Sequence, residues 1–264
     1  MKHFKYWSRE IRRIHIGSQP QELNLLCGSN VSKEDASAQI TLLAREIEQR
    51  ILRGEQKEEY DAAIREHIAE LIDEHNVITV CRYGARIWNT TQYTVLDIDY
   101  SSLTFFDFFR AIRKLGRKER IVARFEKNIK KYSELGSDFR IYETQKGVRV
   151  IGRKYIDPDS KNYEALMKSL NVDWLYIMLS KKQKCYRARL TPKPYRMRFR
   201  TIRIKSPLDC EEPSYEQWSK DYDKRSEDFS VVSLIKIIGN DFSKEKLIQK
   251  HDCACNMQAK KRLA

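Results

Sequence analysis

Two carboxylates sit one residue apart in the segment Tyr93–Tyr100, which reads YTVLDIDY. Val95, Leu96 and Ile98 have the bulk and branching that favour a strand, and strand side chains alternate between faces. Asp97 and Asp99 are therefore expected to point the same way, about 7 Å apart, with Leu96 and Ile98 on the other side. Carboxylates at that separation repel unless a cation or basic side chains lie between them. A divalent ion is one solution, because magnesium takes one or two carboxylates and fills its shell with water and substrate phosphate. The chemistry of such a pair would be metal-assisted phosphoryl transfer.

The second chemical feature is uneven positive charge. The 264 residues carry 51 Lys and Arg against 37 Asp and Glu, a net charge of +14. Residues 181–205 contain eleven Lys or Arg and no acid, and residues 110–131 contain ten against two Glu. Residues 32–75 reverse the balance, with twelve acids against six bases. This asymmetry predicts a polyanion-facing side and an acidic side.

Other chemistries lack their signatures. No Gly-rich phosphate loop, Gly-x-Ser-x-Gly elbow or His-Glu-x-x-His helix is present. His251, Cys253 and Cys255 cluster near the end, but a structural zinc needs four ligands and only Cys210 offers a distant fourth. The six cysteines form no disulfide framework, so a reducing cytoplasm is the expected compartment. No apolar run approaches the ~18–20 residues that cross a bilayer, and residues 1–17 hold no apolar core of signal-peptide length.

The elements that would position the acids follow from pattern. Residues 1–30 are basic and aromatic, then loop-like, and read as an arm on nucleic acid or a strand docked on the body. Ser32 with Asp35 resembles a helix cap, and Ile40, Leu43, Ile47 and Ile51 repeat at helical spacing. Tyr60, Ile64, Ile68 and Leu71 predict a second helix, completing a helical hairpin. Val77–Tyr83 reads as a strand and Asn89–Thr91 as a turn. After the acidic strand come a helix at Leu103–Leu115, a basic helix from Arg117 to about Tyr132, and strands at Phe139–Glu143 and Val148–Lys154. A helix at Ser160–Leu170 and strands at Trp174–Leu179 and Tyr186–Thr191 follow. A further strand at Phe199–Lys205 and a helical tail at Tyr215–Ile238 complete the reading.

The order β–α–β–β–α–β predicts an α+β, ferredoxin-like (RRM-like) split βαβ core. In it Tyr93–Tyr100 and Val148–Lys154 lie side by side at the middle of the sheet, with one face open. Arg149, Ile151 and Arg153 share a face, which puts Arg149 and Arg153 beside the acids if that face is the open one. The expected divisions are an N-terminal arm and helical hairpin at 1–76, the core at 77–205, and a C-terminal helical cap at 206–264.

Lys146-Gly147 begins like an RNA-recognition signature, but Val148 and Val150 stand where aromatics should stack on bases. The VLDIDY strand, with YETQKGVRVIG some 45 residues later, resembles the archaeo-eukaryotic primase (primase-polymerase) superfamily over about residues 77–191. That resemblance implies Asp97 and Asp99 as catalytic, metal-binding acids for Mg²⁺ or Mn²⁺. Arg149 stands where the family carries a nucleotide-binding His, and YRARLT offers no third acid. The run CYRARLTPKP is also similar to bacterial proteins from which no activity carries over.

The expected phosphate ligands are Arg149, Arg153, Arg187, Arg189 and Lys193. Lys181, Lys182, Lys184, Arg196, Arg198 and Arg200 are expected to hold a DNA or RNA backbone. The favoured expectation is a nucleic-acid- or nucleotide-binding protein on a divergent core, with no membrane association. The alternatives are an active metal-dependent nucleotidyltransferase or nuclease on the same acids, and an interaction subunit whose basic surface meets a protein partner.

Overall fold

The computed structural model describes residues 1–16, 19–55, 63–99, 115–259 and 261–264. Strands β1 (Tyr6–Ile16) and β2 (Gln19–Ser29) form an antiparallel pair, where the sequence left an arm or a docked strand open. Helix α1 (Lys33–Leu52) packs across it, burying Ile40 and Ala44 against Ile14 and Leu25. The Ser32 hydroxyl accepts from the Asp35 amide at 3.1 Å, so the cap expected from the sequence starts this helix.

The expected second helix of a hairpin is a strand. β3 (His67–Asp73) pairs antiparallel with β4 (Asn76–Val80), and residues 56–62 lie outside the described residues. The Asp73 carboxylate accepts from the His75 amide and the Asn76 side chain, which fixes a tight turn. Pairing with the wholly buried β4 outweighs the helical spacing of Ile64, Ile68 and Leu71. β5 (Arg86–Thr90) and β9 (Tyr186–Arg189) complete a sheet ordered β3-β4-β5-β9.

The second sheet has the order β11-β7-β8-β6, all antiparallel, from β6 (Thr94–Ile98), β7 (Phe139–Thr144), β8 (Val148–Gly152) and β11 (Val232–Ile238). The acidic strand and Val148–Gly152 are adjacent as expected, but of these two only β8 is interior, and β6 is the last strand of the row. α2 (Arg117–Ile129) covers one face through Ile121 and Phe125, whose ring meets Phe139 at 5.3 Å. Each such buried side chain contributes about 1.5–3 kcal/mol. The helix expected at Leu103–Leu115 falls almost entirely outside the described residues.

Trp174–Leu179 is not a strand. It begins α4 (Trp174–Gln183), which follows α3 (Tyr163–Ser169). Asp173 caps it by accepting from the Tyr176 amide at 3.0 Å, and Lys184, in the left-handed region at φ 51°, ends it. A short, wholly apolar run has no legible period, so its caps decide its state.

The expected helical tail is likewise divided. α5 (Pro213–Ser226) ends before β10 (Phe229–Ser230), and the branched run Val232–Ile238 joins the sheet as β11. α6 (Lys246–Ala254) and β12 (Arg262–Leu263) follow. The Phe199–Lys205 segment is irregular, not a strand. The result is a mixed α+β fold of several antiparallel sheets, a short parallel pairing of β10 with β12 and six described helices. The fourth strand of a split βαβ is replaced by α4, and β9 belongs to the other sheet. Among the described residues no helix is long and apolar enough to cross a membrane.

Candidate functional site

The register of β6 on β8 places Asp97 opposite Arg149, and that of β8 on β7 places Arg149 opposite Tyr142. Arg149 donates from Nε to Asp97 Oδ1 at 2.9 Å and from Nη2 to Oδ2 at 3.4 Å. Its Nη1 donates to the Arg189 carbonyl at 2.8 Å. Arg149 is 1% exposed, whereas the Asp97 side chain is 34% exposed. Burial opposes the guanidinium charge, but Asp97 outweighs it and raises the Arg149 pKa.

The sheet face expected to be open is therefore largely covered. His251 on α6 packs on Tyr142 and Trp88, with Nε2 3.5 Å from Arg149 Nη1 and Nδ1 2.9 Å from Asp252 Oδ1. Burial pushes the His251 pKa down, but Cys255 and Asp252 outweigh it, and the value rises to about 8. Asp252 also pairs with Arg140, itself 2% exposed, and Asp241 is a further partner of Arg140. Among the described residues, the face opens at the end of β6, where Asp97 and Asp99 line a cleft.

There a cleft of about 2040 Å³ runs between α1 with its hairpin, α4, and the ends of β6, β8 and β9. Asp97, Asp99, Lys146 and Arg149 contribute to one part of it. Gly147 permits this arrangement, because a Cβ there would fall 2.2 Å from the Ile98 carbonyl and 2.9 Å from Asp99 Oδ1. Tyr176 on α4 joins the two sheets. Its hydroxyl lies 2.8 Å from the Val95 carbonyl and 3.1 Å from the Arg187 carbonyl, and it accepts from the Arg187 amide at 3.2 Å.

β9 exposes alternate residues to the cleft, so Arg187 and Arg189 share a face while Tyr186 and Ala188 are buried. The two arginines differ. Arg187 Nη2 pairs with Glu66 at 2.5 Å. Arg189 donates to the Thr191 carbonyl at 3.3 Å and to the backbone oxygen of the last residue, Ala264, at 3.2 Å, and to no Asp or Glu among the described residues. Next to it, Lys193 lies over the rings of Tyr83 and Tyr195, and Arg196 lies over Tyr195 with its Nε buried and without a hydrogen-bond partner. Among the described residues, no Asp or Glu side chain pairs with Arg189, Lys193 or Arg196.

Titration directions report the same excess charge. Burial, then the Arg149 and Arg196 charges, depress the Arg189 pKa. Burial and Arg189 depress that of Lys193. For Tyr195 burial acts upward, but Lys193 and Arg196 prevail and lower it.

The remaining expected ligands are dispersed. Arg153 is outside the cleft, paired with Glu245 at 2.8 Å and with Asp138 at 3.7 Å. Lys182 lines the cleft, whereas Lys181 pairs with Glu164 and Lys184 with Asp159. Arg198 and Arg200 are exposed beyond the rim. His251, Cys253 and Cys255 do not all converge: buried Cys255 lies beside His251 and directs its thiol to the Arg189 carbonyl, but Cys253 is exposed.

As metal ligands, Asp97 and Asp99 fit poorly. Arg149 occupies both Asp97 oxygens, and among the described residues no group of three or more His, Cys, Asp or Glu is placed to hold an ion. Sequence reasoning missed Glu66 and Asp252, which neutralise Arg187 and Arg140 from distant segments with no local signal. Comparisons with family models, curated proteins and solved structures return no match to this chain.

Proposed function

We propose that this protein binds nucleic acid or a nucleotide in the cleft, with phosphate groups on Arg189, Lys193 and Arg196. One observation carries the reading. The buried Arg140 and Arg149 and the half-buried Arg187 each have an Asp or Glu partner, while the three cations at and beyond the end of β9 have none among the described residues. Unneutralised charge held partly out of water is costly unless a ligand anion completes it. Phosphate suits the planar guanidinium forks of Arg189 and Arg196, and a polyanion suits the net charge of +14.

The adjacency of β6, β8 and β7 supports reading this sheet as three strands of a ferredoxin-like core of the primase-polymerase kind. The Asp97–Arg149 pair favours binding over metal-dependent catalysis on that core. The six free thiols support a reducing, cytoplasmic setting.

The test is fluorescence anisotropy with single-stranded oligonucleotides at several salt concentrations. The wild-type affinity is expected to fall steeply with salt. Arg189→Gln with Lys193→Gln is expected to lower it roughly tenfold or more and to reduce the log–log salt slope by about 1.4. A flat salt response, or an unchanged affinity in the double variant, would refute the reading. Mn²⁺ that raises the melting temperature of wild type but not of Asp99→Ala would instead favour the catalytic alternative.

A further inference from the structure

Beyond the cleft rim the chain carries a second set of cations fixed in place by apolar anchors. In the irregular segment 198–205, Arg198, Arg200, Arg203 and Lys205 are exposed, while Phe199 and Ile202 are half-buried and Ile204 is buried. The Phe199 amide donates to the Pro194 carbonyl at 3.0 Å, and the Ile204 amide donates to the Arg82 carbonyl at 2.9 Å. The Trp218 indole donates to the Arg200 carbonyl at 2.8 Å.

Trp218 in turn packs against Gly84, where φ is +85° and a Cβ would fall 2.2 Å from the indole ring. The backbone of this row is therefore held without help from its charges. The nearest acid in sequence, Asp209, accepts from the backbone amides of Lys205 and Ser206 at 2.7 and 3.1 Å. None of the four basic side chains has a carboxylate partner among the described residues.

The row meets the cleft at two points. Arg82 and Arg196 line the cleft, and the first is bonded to Ile204 while the second lies two residues before Arg198. We infer that the row formed by Arg198, Arg200, Arg203 and Lys205 is a track for the phosphodiester backbone of a nucleic-acid strand as it leaves the cleft. The inference rests on the cleft-binding reading and adds a ligand length to it. A segment within the cleft uses Arg189 and its neighbours, and a longer strand gains the track. Ordinary solvated surfaces intersperse both signs and hold long cations loosely, whereas this row has one sign on a pinned backbone.

The experiment compares oligonucleotides of about four and about sixteen nucleotides, the span of single-strand site sizes. The probes are bound to wild type and to the variant Arg198→Gln, Arg200→Gln, Arg203→Gln, Lys205→Gln. The variant is expected to keep its melting temperature and its affinity for the short probe. For the long probe it is expected to lose roughly tenfold or more in affinity, and about 3 from the log–log salt slope.

Equal long-probe affinity in variant and wild type would overturn the track. So would wild-type affinity for poly-glutamate equal to that for the long probe, which would assign the row to an acidic protein. Wild type that binds only the long probe, with a variant that binds neither, would keep the row and remove the cleft reading. Wild type that binds neither probe would overturn both.

Discussion

Arg149 and Arg189 touch, since one donates to the other's carbonyl, yet their charges meet opposite fates. Arg149 is enclosed and spends both faces of its fork on Asp97 and a backbone oxygen. Arg189, on the facing sheet, reaches the Thr191 carbonyl and the oxygen of the last residue but no Asp or Glu among the described residues, and has two further cations beside it. The first is a structural cation, whose removal from its carboxylate would leave an uncompensated charge in the protein interior. The second has no Asp or Glu partner among the described residues. On the function proposed above, the first part of the cleft serves cohesion and the second serves a ligand, although both contain arginine.

The largest effect should come from breaking the first region. Asp97→Ala leaves Arg149 buried and unpaired, and urea unfolding is expected to show a loss of about 3 kcal/mol. This is the low end for a broken buried pair, because the Asp97 side chain is a third exposed. A loss within the range of ordinary surface substitutions would erase the distinction. In the second region, Arg189→Gln removes repulsion from Arg149 and Arg196 along with two long hydrogen bonds. Without ligand, its stability is expected to stay within about 1 kcal/mol of wild type. A loss as large as that of Asp97→Ala would mean that Arg189 is structural too.

The smallest effect is a titration. Lys193 has a depressed pKa, so the folded chain releases its proton more readily than the unfolded chain. Below both values the charge costs stability. As pH rises from the folded value toward the ordinary one near 10.4, the ligand-free fold gains stability. Phosphate-backbone affinity should move the other way, falling as that lysine loses its charge. Lys193→Arg should abolish this alkaline decline in a binding titration, and a decline of the same size in the variant would place the titrating group elsewhere.

The sequence disclosed this contrast only in part. The strand carrying Asp97 and the one carrying Arg149 were legible from branched residues and a turn, and alternation brought both side chains to one face. The run of single sign along 181–205 was legible as well, and part of it lines the cleft. What stayed hidden was long-range. Glu66 stands 121 residues from Arg187, and Asp252 stands 112 from Arg140, so no local pattern could separate paired from unpaired arginines. The errors in secondary structure have a shared cause. Trp174–Leu179 and Val232–Ile238 are apolar runs of similar length, and only the capping Asp173 or the partner strand β7 tells helix from strand.

The phenol of Tyr176 carries a consequence for how this fold can vary. Had β6 and β9 been joined by a continuous ladder, peptide geometry would fix the distance from the acidic bank to the basic one. Here two side chains stand in for that ladder, the Tyr176 phenol and the Arg149 guanidinium on the Arg189 carbonyl. The gauge of the channel is thus set by side chains, and a change of residue at Tyr176 would widen or narrow it while leaving each sheet's own pairing intact.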